Sequence, residues 1–435
     1  MSRKQIPGQD YISFTKEMKK DYKILVPMML EMHFKLLCGV LRNYGYDVEL
    51  LETTGPHIAE EGLRHVHNDA CYPAIIVIGQ FIDAIKSGKY DPDKTALVFF
   101  QTGGGCRASN YVSLLRKALK KAGYPQVPVV ALSFVGLEHH PGLSLSLPLI
   151  HKIVYAFLYA DLLMLLVNQC CPYENVPGSA KALADRWTEI LANQLTEKTF
   201  VSYSQVKENY RAILRDFEKL PRTLRPAARV GIVGEIFVKY SPLANNGLEQ
   251  FLVAEGAEPV VPGLMDFFMY TVYANVIDYQ LYGLHPIKYR VFQRLFDFFN
   301  KKKDDLIAII EEHGIFEPPA HFNHVISLTK DYIGVGTKMG EGWLLTAEML
   351  ELAEAGVDNI VCTQPFGCLP NHICGKGMMR PIKERNPDVN IVAIDYDAGA
   401  TKVNQENRLK LMLSNARANL EAELAAKEEK EPVTV

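Results

Sequence analysis

The sequence lacks a strong net charge and an N-terminal secretion signal. Its 47 basic and 50 acidic residues give a formal net charge of −3, with both signs mixed along the chain. This balance favours neither nucleic acid nor an anionic membrane as a partner. Residues 1–21 are polar and contain no apolar signal core. We therefore expect a cytoplasmic protein with no nucleic-acid or membrane partner.

A long uncharged apolar run is also missing. The most apolar stretch, residues 143–167, is interrupted by His151, Lys152 and Asp161, so no uncharged run approaches the ~20 residues of a membrane span. The stretch predicts a helix that is apolar nearly all round, and such a helix is either buried or covered by a partner. We expect it to contribute to a two-fold subunit interface, with Asp161 facing solvent, the cleft or a basic partner.

The common phosphate-binding signatures are absent as well. The sequence has no GxxxxGK[ST] motif, and the three glycines of residues 101–107 (QTGGGCR) do not fit GxGxxG. Such a turn could still cradle a phosphate, so nucleotide binding stays open as an alternative. Residues 395–401 (DYDAGAT) resemble the phosphate loop of actin-like ATPases, but they lead into a helix near the C-terminus, and turn roles for Asp and Gly explain them better. We expect no ATPase activity from the chain alone.

Strand and helix patterns alternate in two parts of the chain, which predicts parallel, doubly wound α/β sheets. The predicted strands cover residues 23–27, 47–51, 95–101 and 127–134 in the first part, and 229–237, 259–261, 359–363 and 390–395 in the second. A chain of 435 residues is long enough for two or three domains. We divide it into an extension (1–21), a first α/β domain (22–140), a helical segment (141–227), a second α/β domain (228–415) and a charged tail (416–435).

The chain contains eight cysteines. Without a secretion signal they point to a reducing compartment, where thiols serve metals or catalysis more often than disulfides. Cys362, Cys368 and Cys374 follow one another at equal spacing, at the end of a predicted buried strand. Ligands gather at the carboxyl ends of parallel strands, and clustered thiols suit iron–sulfur clusters. The alternative is that a free cysteine is simply a small core residue, which also explains Cys38 and the pair Cys170 and Cys171.

Two further cysteines occupy predicted ligand-binding turns. Cys71 precedes Pro73 at the start of a predicted helix, where the helix dipole and free N–H groups would stabilise a thiolate. Cys106 follows the three glycines at the end of a predicted strand and opens the next helix. Gly104 and Gly105 would let the backbone turn tightly against a ligand. The Gly-rich loop at residues 334–340 could also line an active crevice.

Several strings of the sequence resemble one known family. HNDACYP, QTGGGCRASNY, GIVGEIFVKYSPLANN, GEGWLLTAEM, CTQPFGCLPNH and NIVAIDYDAGATKVNQENRLKLML are similar to the 2-hydroxyacyl-CoA dehydratase component family, in particular the branch with double-cubane clusters that is often fused to the ATP-dependent dehydratase activator. The resemblance covers roughly residues 20 to 415. It implies two Rossmann-like domains facing each other, with an iron–sulfur cluster in the cleft between them.

The resemblance also implies cofactors, partners and site residues. The cluster would be a 4Fe-4S cubane or an 8Fe-9S double cubane, reduced by an ATP-dependent iron–sulfur activator protein. Its ligands would be Cys71, Cys106 and Cys368, with Cys362 as a further candidate at the strand end. Arg107 could balance cluster charge. Asn371 and His372 could donate hydrogen bonds or a proton, although a cap or loop hydrogen bond explains His372 equally well. The family works as dimers, so we expect a homodimer or a heterodimer.

Three functions remain compatible with the sequence. The first is an anaerobic reductase or dehydratase whose cluster acts on an acyl-CoA or another small molecule. The second is an electron-relay or scaffold subunit without its own substrate. The third is a CoA- or nucleotide-binding protein with structural cysteines. Iron and sulfide analysis separates the third from the others, and a small ligand that perturbs the reduced cluster would separate the first from the second.

Overall fold

The structure, a computed structural model of the chain, describes residues 11–101, 105–133, 138, 140–143 and 146–428. Within these ranges the strands form two sheets, and every strand pair is parallel. The strands are β1 (Lys23–Pro27), β2 (Asp47–Leu51), β3 (Thr95–Gln101), β4 (Val129–Ser133), β5 (Arg229–Gly234), β6 (Glu258–Val260), β7 (Asn359–Pro365) and β8 (Asn390–Tyr396).

The two sheets have equivalent strand orders. The first is β2-β1-β3-β4 and the second is β6-β5-β7-β8. In the first sheet Lys23 pairs with both Asp47 and Thr95, and in the second Asn359 pairs with both Val230 and Asn390. The strands are largely buried, as expected of parallel strands covered by helices on both faces. The prediction of two Rossmann-like parallel sheets is confirmed.

Helices connect the strands and cover both sheets. They are α1 (Met18–Asp21), α2 (Glu31–Asn43), α3 (Pro56–His65), α4 (Tyr72–Lys86), α5 (Tyr111–Ala122), α6 (Leu147–Cys170), α7 (Ser179–Glu197), α8 (Tyr203–Glu218), α9 (Ile236–Tyr240), α10 (Pro242–Asn245), α11 (Leu248–Ala254), α12 (Leu264–Tyr282), α13 (Pro286–His313), α14 (Phe322–Leu328), α15 (Trp343–Glu354), α16 (Met379–Arg385) and α17 (Lys402–Glu428). Short 3-10 turns cover Pro92–Lys94, Arg107–Asn110, Cys171–Tyr173 and Lys376–Met378, and a π-helical turn covers Asn371–Gly375.

A separate helical core lies beside the sheets. It joins α6, α7 and α8 to α12 and α13, which come from between β6 and β7. Buried aromatic side chains hold it together, and Tyr159 and Tyr210 meet edge to face with their ring centroids 5.2 Å apart. The helical region expected at residues 141–227 is therefore extended by a second segment from within the second α/β domain.

The apolar helix α6 is covered by its own chain. Helices α2, α7, α8 and α12 pack around it, and Leu158, Leu162 and Leu166 are almost fully buried. The expectation that α6 needs a partner subunit to cover it is corrected, because these four helices of its own chain cover it; one of them, α12, lies about a hundred residues away in the sequence. Residues 147–173 are the one described stretch that is long and apolar enough to cross a membrane, and 67% of its most apolar part is buried inside the chain, as in a core helix.

Asp161 lies beside a basic side chain, one of the environments expected for it, and it also contacts the start of a helix. Its carboxylate accepts hydrogen bonds from the backbone N–H groups of Leu264 (2.7 Å) and Met265 (2.9 Å). Its Oδ1 also lies 2.7 Å from His33 Nε2. Asp161 therefore caps α12. Its carboxylate accepts hydrogen bonds from N–H groups of the first turn that have no partner within the helix, and its negative charge lies at the positive end of the helix dipole.

Candidate functional site

A cavity of about 540 Å³ lies where the carboxyl ends of strands from both sheets meet. Pro27 ends β1, Glu235 follows β5, and both residues line the cavity. β1 and β5 occupy equivalent places in their sheets, beside the point where the strand order reverses. Open α/β sheets bind their ligands at this point, so the fold itself directs attention to the cavity.

Three of the predicted ligands line this one cavity: Cys71, Cys106 and Cys368. Cys71 immediately precedes α4, Cys106 precedes the 3-10 turn Arg107–Asn110, and Cys368 follows β7. The first two belong to the first α/β domain and the third to the second. The structure therefore brings together thiols that lie nearly three hundred residues apart at the extremes.

The loop that carries Cys368 packs directly on Cys71. The backbone N–H of Tyr72 donates to the carbonyl of Phe366 over 3.0 Å. A Cβ atom at Gly367 would lie 3.1 Å from the Cys71 Cα, and Gly367 has a left-handed φ of +73°. Both the close approach and the backbone conformation favour glycine here. The contact fixes Cys71 and Cys368 as neighbours across the two domains.

A second close approach brings Cys106 to the same loop. Gly340 has a φ of +60°, and a Cβ atom there would lie 2.8 Å from Pro370 Cγ and 3.9 Å from Cys106 Sγ. The neighbouring Met339 sulfur accepts a hydrogen bond from the backbone N–H of Gly105 over 3.1 Å. The Gly-rich loop at residues 334–340 thus borders the cavity, beside Cys106.

Burial keeps the three thiols protonated. It raises the pKa of Cys71 to about 11, an effect that a hydrogen bond with Tyr111 opposes and the charge of Glu235 reinforces. Cys71 Sγ lies 2.6 Å from Tyr111 Oη. Burial also raises the pKa values of Cys106 and Cys368. The helix start at Cys71 was expected to favour a thiolate, but the cost of desolvating the charged form outweighs the helix dipole.

Two buried carboxyl groups face the same cavity, Glu235 and Glu341. Glu235 accepts a hydrogen bond from the Val238 N–H over 2.9 Å at the start of α9, and Glu341 accepts one from the Ile236 N–H over 3.0 Å. Burial, with the charge of Glu341 as a second cause, raises the pKa of Glu235 to about 8. Burial raises the pKa of Glu341 as well. The pair can therefore retain a proton near neutral pH.

The remaining wall of the cavity is apolar and aromatic. Phe157 and Phe268 stack with their ring centroids 4.7 Å apart, and Phe34 and Leu264 lie beside the cavity with them. Arg107 and His372 also line the cavity. One side therefore offers thiols, carboxyls, a guanidinium and an imidazole, while the other offers a surface for an apolar group. Pockets for small molecules commonly combine these two features.

Other predicted site residues lie elsewhere. Cys362 is fully buried on β7, where its thiol donates to Asn371 Oδ1 over 3.5 Å, and it is not among the described residues that line the cavity. The Asn371 amide donates to the Thr363 carbonyl over 2.6 Å and so fixes the loop instead of facing the cavity. Cys374 is buried outside the lining too. Gly104 lies outside the described residues.

The fit of an iron–sulfur group can be judged from the donor chemistry. Among the described residues, no group of three or more His, Cys, Asp or Glu side chains converges tightly enough to hold a single metal ion. Three thiols nevertheless line one cavity. Each cysteine of a cubane binds a different iron atom, so cluster ligands surround a volume and do not meet at a point. The set of donors fits a cluster better than it fits a single ion.

The sequence analysis assigned no role to Tyr111, Glu235 or Glu341. All three lie inside strings that were singled out there: QTGGGCRASNY, GIVGEIFVKYSPLANN and GEGWLLTAEM. The signal that could have found the two glutamates is their position. Glu235 lies near the end of the strand predicted at 229–237, which the structure ends at Gly234, and Glu341 directly follows a Gly-rich loop. Tyr111 begins α5, and only the fold brings it to Cys71.

Comparison with known proteins adds no family. No protein-family model matches the chain, and no curated protein matches it in sequence. Fold and site together therefore define a class: an α/β protein with two parallel four-stranded sheets and a thiol-lined cavity at their carboxyl edges.

Proposed function

We propose that the chain is an iron–sulfur protein of the 2-hydroxyacyl-CoA dehydratase type. One observation carries the proposal: Cys71, Cys106 and Cys368 come from distant parts of the sequence and line a single cavity at the carboxyl ends of both sheets. Structural cysteines are usually scattered singly through cores, as Cys38 is in this chain. Convergence of three on one cavity is better explained by a shared cofactor.

The proposed cofactor is a 4Fe-4S cubane, which these three thiolates would hold, or an 8Fe-9S double cubane, which would need further thiolates besides these three. When bound, it would supply low-potential one-electron chemistry for reduction or radical dehydration of a small substrate. Cys362 is left out of the proposed ligand set because its sulfur contacts Asn371 and not the cavity. The hydrogen bond between Tyr111 and Cys71 would tune the electron density on that sulfur.

The other residues have roles that follow from their positions. Arg107 supplies positive charge beside Cys106. Glu235 and Glu341 hold a proton at the cavity wall, because burial raises the pKa values of both. His372 is a second group that could donate a proton there. The aromatic wall around Phe157 and Phe268 excludes water and binds the apolar part of a substrate, which favours an enzyme over an electron relay that lacks a substrate.

The proposal includes an external electron source. A separate ATP-dependent iron–sulfur activator would deliver electrons, since the sequence has no GxxxxGK[ST] motif of its own. An acyl-CoA or another small molecule would be the substrate, and the cytoplasm the site of action. A CoA- or nucleotide-binding protein with structural cysteines is the alternative to be tested against.

The test is iron and sulfide analysis after anaerobic purification. We expect about four irons per chain for a cubane or about eight for a double cubane. Cys71→Ala, Cys106→Ala and Cys368→Ala should each lose most of the iron, because each removes one proposed ligand. Cys38→Ala is the matched control, since Cys38 is a buried free thiol like Cys71 and Cys368 but lies in α2 and does not line the cavity. Far-UV circular dichroism would confirm that each variant folds.

Two outcomes would reject the proposal. The first is the absence of iron and sulfide from the anaerobically purified protein after reconstitution. The second is equal iron loss in Cys38→Ala and in the three cavity variants, which would show that iron is not bound at the cavity. The first outcome together with tight binding of coenzyme A would favour the alternative.

A further inference from the structure

An apolar stripe on helix α13 is exposed to solvent. It consists of Ile287, Val291, Leu295 and Phe298, whose exposed fractions are 81%, 59%, 37% and 37%. The spacing of four, four and three residues places all four side chains on one face of the helix. The adjacent face of α13 carries Phe296, Leu306 and Ile310, which are buried in the helical core. The helix is thus apolar on two faces, and its own chain covers only one.

The stripe continues onto the tip of the α12–α13 hairpin. Leu281, Tyr282 and Leu284 are 51%, 62% and 48% exposed. Together with the four residues of the stripe, their exposed fractions correspond to roughly 750 Å² of surface, close to the ~800 Å² that each partner contributes to a standard interface. A patch of this size exceeds what monomeric proteins usually expose.

The stripe is complementary to a second copy of itself. Helices related by a two-fold axis run antiparallel, and each flank faces the same flank of the other copy. A pairing centred on Gln293 sets Val291 opposite Leu295 and brings Ile287 within one residue of the level of Phe298. Every apolar residue of the stripe then meets an apolar residue.

The charges flanking the stripe agree with the same pairing. Arg290 and Asp297 are seven residues apart and therefore lie on the same flank of α13. Both are exposed, and no ion pair of Arg290 is found within the described part of the chain. The pairing centred on Gln293 brings Arg290 within one residue of the level of Asp297, which the long arginine side chain can span, and two-fold symmetry forms this ion pair twice.

We infer that two copies of this chain associate through the Ile287–Phe298 stripe of α13, as antiparallel helices related by a two-fold axis. The interface replaces the one expected at α6, which its own chain already covers. The inference rests on the surface alone and is independent of the proposed iron–sulfur function.

The interface would also support the cavity. Leu281 and Tyr282 lie against Gly336, at 3.1 Å and 3.6 Å from a Cβ atom placed there. Lys338 of the same loop donates to the Ala274 carbonyl over 3.0 Å and pairs with Asp278. Since this loop continues to Gly340 beside Cys106, pairing at the hairpin would restrain a wall of the cavity.

The first measurement is solution mass by light scattering on the anaerobically purified chain at micromolar concentration. The wild type should show twice the mass of one chain. Val291→Asp should weaken dimerisation at least ~30-fold, since it buries a charge at the centre of the interface. Leu411→Asp is the matched control, because Leu411 is 67% exposed on another helix, α17, and it should leave the dimer intact. Circular dichroism establishes that both variants fold.

A charge swap tests the register directly. Arg290→Asp and Asp297→Arg should each weaken the dimer ~10-fold, because each sets like charges opposite one another twice. The double variant should recover wild-type affinity to within about threefold, since it restores both ion pairs in reversed sense. Recovery supports this pairing over any other use of the same surface.

Three results would overturn the inference. A wild-type monomer at tens of micromolar would do so, as would a dimer that survives Val291→Asp. The third is binding of a monomeric wild type to vesicles of phosphatidylcholine and phosphatidylglycerol that Val291→Asp abolishes, which would identify the stripe as a membrane contact. If the double charge swap fails to recover the dimer, the register centred on Gln293 is wrong.

Discussion

The buried ion pair between Lys239 and Glu348 allows a sharp test of the electrostatics behind the site. Lys239 Nζ lies 2.8 Å and 3.1 Å from the two carboxylate oxygens of Glu348, and both side chains are buried. Lys239 belongs to α9, just after Glu235, and Glu348 belongs to α15, just after Glu341. The pair therefore joins the two elements that bring the cavity carboxyls together.

Glu348→Gln should destabilise the protein by ~3–5 kcal/mol at pH 7, because Lys239 would be left buried without a counter-charge. The loss has a ceiling. The destabilisation cannot exceed the free energy of deprotonating the lysine, because a neutral amine needs no counter-charge. At pH 7 the ordinary lysine pKa lies about 3.4 units above the pH, which corresponds to ~4.6 kcal/mol. At pH 9 the ceiling falls to ~1.9 kcal/mol, since the pH is then only about 1.4 units below the ordinary pKa of a lysine in the unfolded chain.

The sign of the pH dependence follows from proton linkage. In Glu348→Gln the folded protein would hold a buried lysine without its counter-charge, so the unfolded chain binds more protons and the variant gains stability as the pH rises. Lys239→Met leaves Glu348 unpaired and should behave oppositely. The destabilisation in Lys239→Met cannot exceed the free energy of protonating the Glu348 carboxylate. This limit is ~3.7 kcal/mol at pH 7 and increases as the pH rises. The double variant Lys239→Met/Glu348→Leu should return close to the wild type.

Urea unfolding at pH 7 and pH 9, with the variants measured side by side, provides the assay. The exposed pair of Arg380 and Glu384, 2.7 Å apart with side chains 87% and 58% exposed, supplies the control. Glu384→Gln should leave the urea midpoint unchanged at either pH, because water screens an exposed pair. A loss below ~1 kcal/mol in Glu348→Gln, or equal losses at pH 7 and pH 9, would refute the reasoning that Lys239 is held charged by Glu348 alone.

Two further predictions concern the framework of the site. Asp161→Asn should lower stability by ~1–2 kcal/mol in a thermal-shift or urea experiment, since an amide is a poorer acceptor for the Leu264 and Met265 N–H groups, and an unchanged midpoint would remove its capping role. Glu138→Gln should lower stability at pH 7 by ~1–2 kcal/mol after allowance for solvent screening. Burial opposes the shift, but Arg116 and His140 hold the pKa of Glu138 at about 2, so this contribution is present above about pH 4.3 and lost as the pH falls toward 2. Urea midpoints that differ from the wild type equally at pH 7 and pH 3 would contradict it.

Local patterns were enough to predict most of the fold. The strand predicted at residues 23–27 is β1, and the strand predicted at 127–134 is β4 with shorter ends. Short apolar runs bounded by glycine, proline or polar residues identify parallel strands, and the alternation with helices determines their direction. The same logic located Cys71, Cys106 and Cys368 at strand ends and helix starts, which is why their common position in the fold could be anticipated.

Long-range packing was not readable from the sequence. The apolar circumference of α6 indicated burial but not the partner, and the cover comes from α7, α8 and α12. The interaction of Tyr111 with Cys71 joins residues forty positions apart. Cys362 shows that spacing alone can also mislead. Its spacing grouped it with Cys368, but side chains alternate along a strand, and the Cys362 thiol points toward Asn371. The periodicity of apolar residues predicts which face of a helix or strand is buried, but only the three-dimensional structure shows which segment packs against that face.

The electrostatics of the cavity bear on how it could acquire a cofactor. Burial raises the pKa of Cys71 to about 11 and that of Glu235 to about 8, so near neutral pH these groups are mainly protonated. Such a wall does not favour a thiolate by itself, and its thiols are poor nucleophiles. A thiolate forms there when a cation replaces the proton, and this exchange couples metal binding to proton release. Burial also raises the pKa values of Glu235 and Glu341 in the same cavity, so the pair retains a proton near neutral pH and offers the released protons no ready acceptor. The same burial therefore opposes ionisation of the thiols and of the carboxyls, and we expect the proposed cofactor to be incorporated more readily as the pH rises.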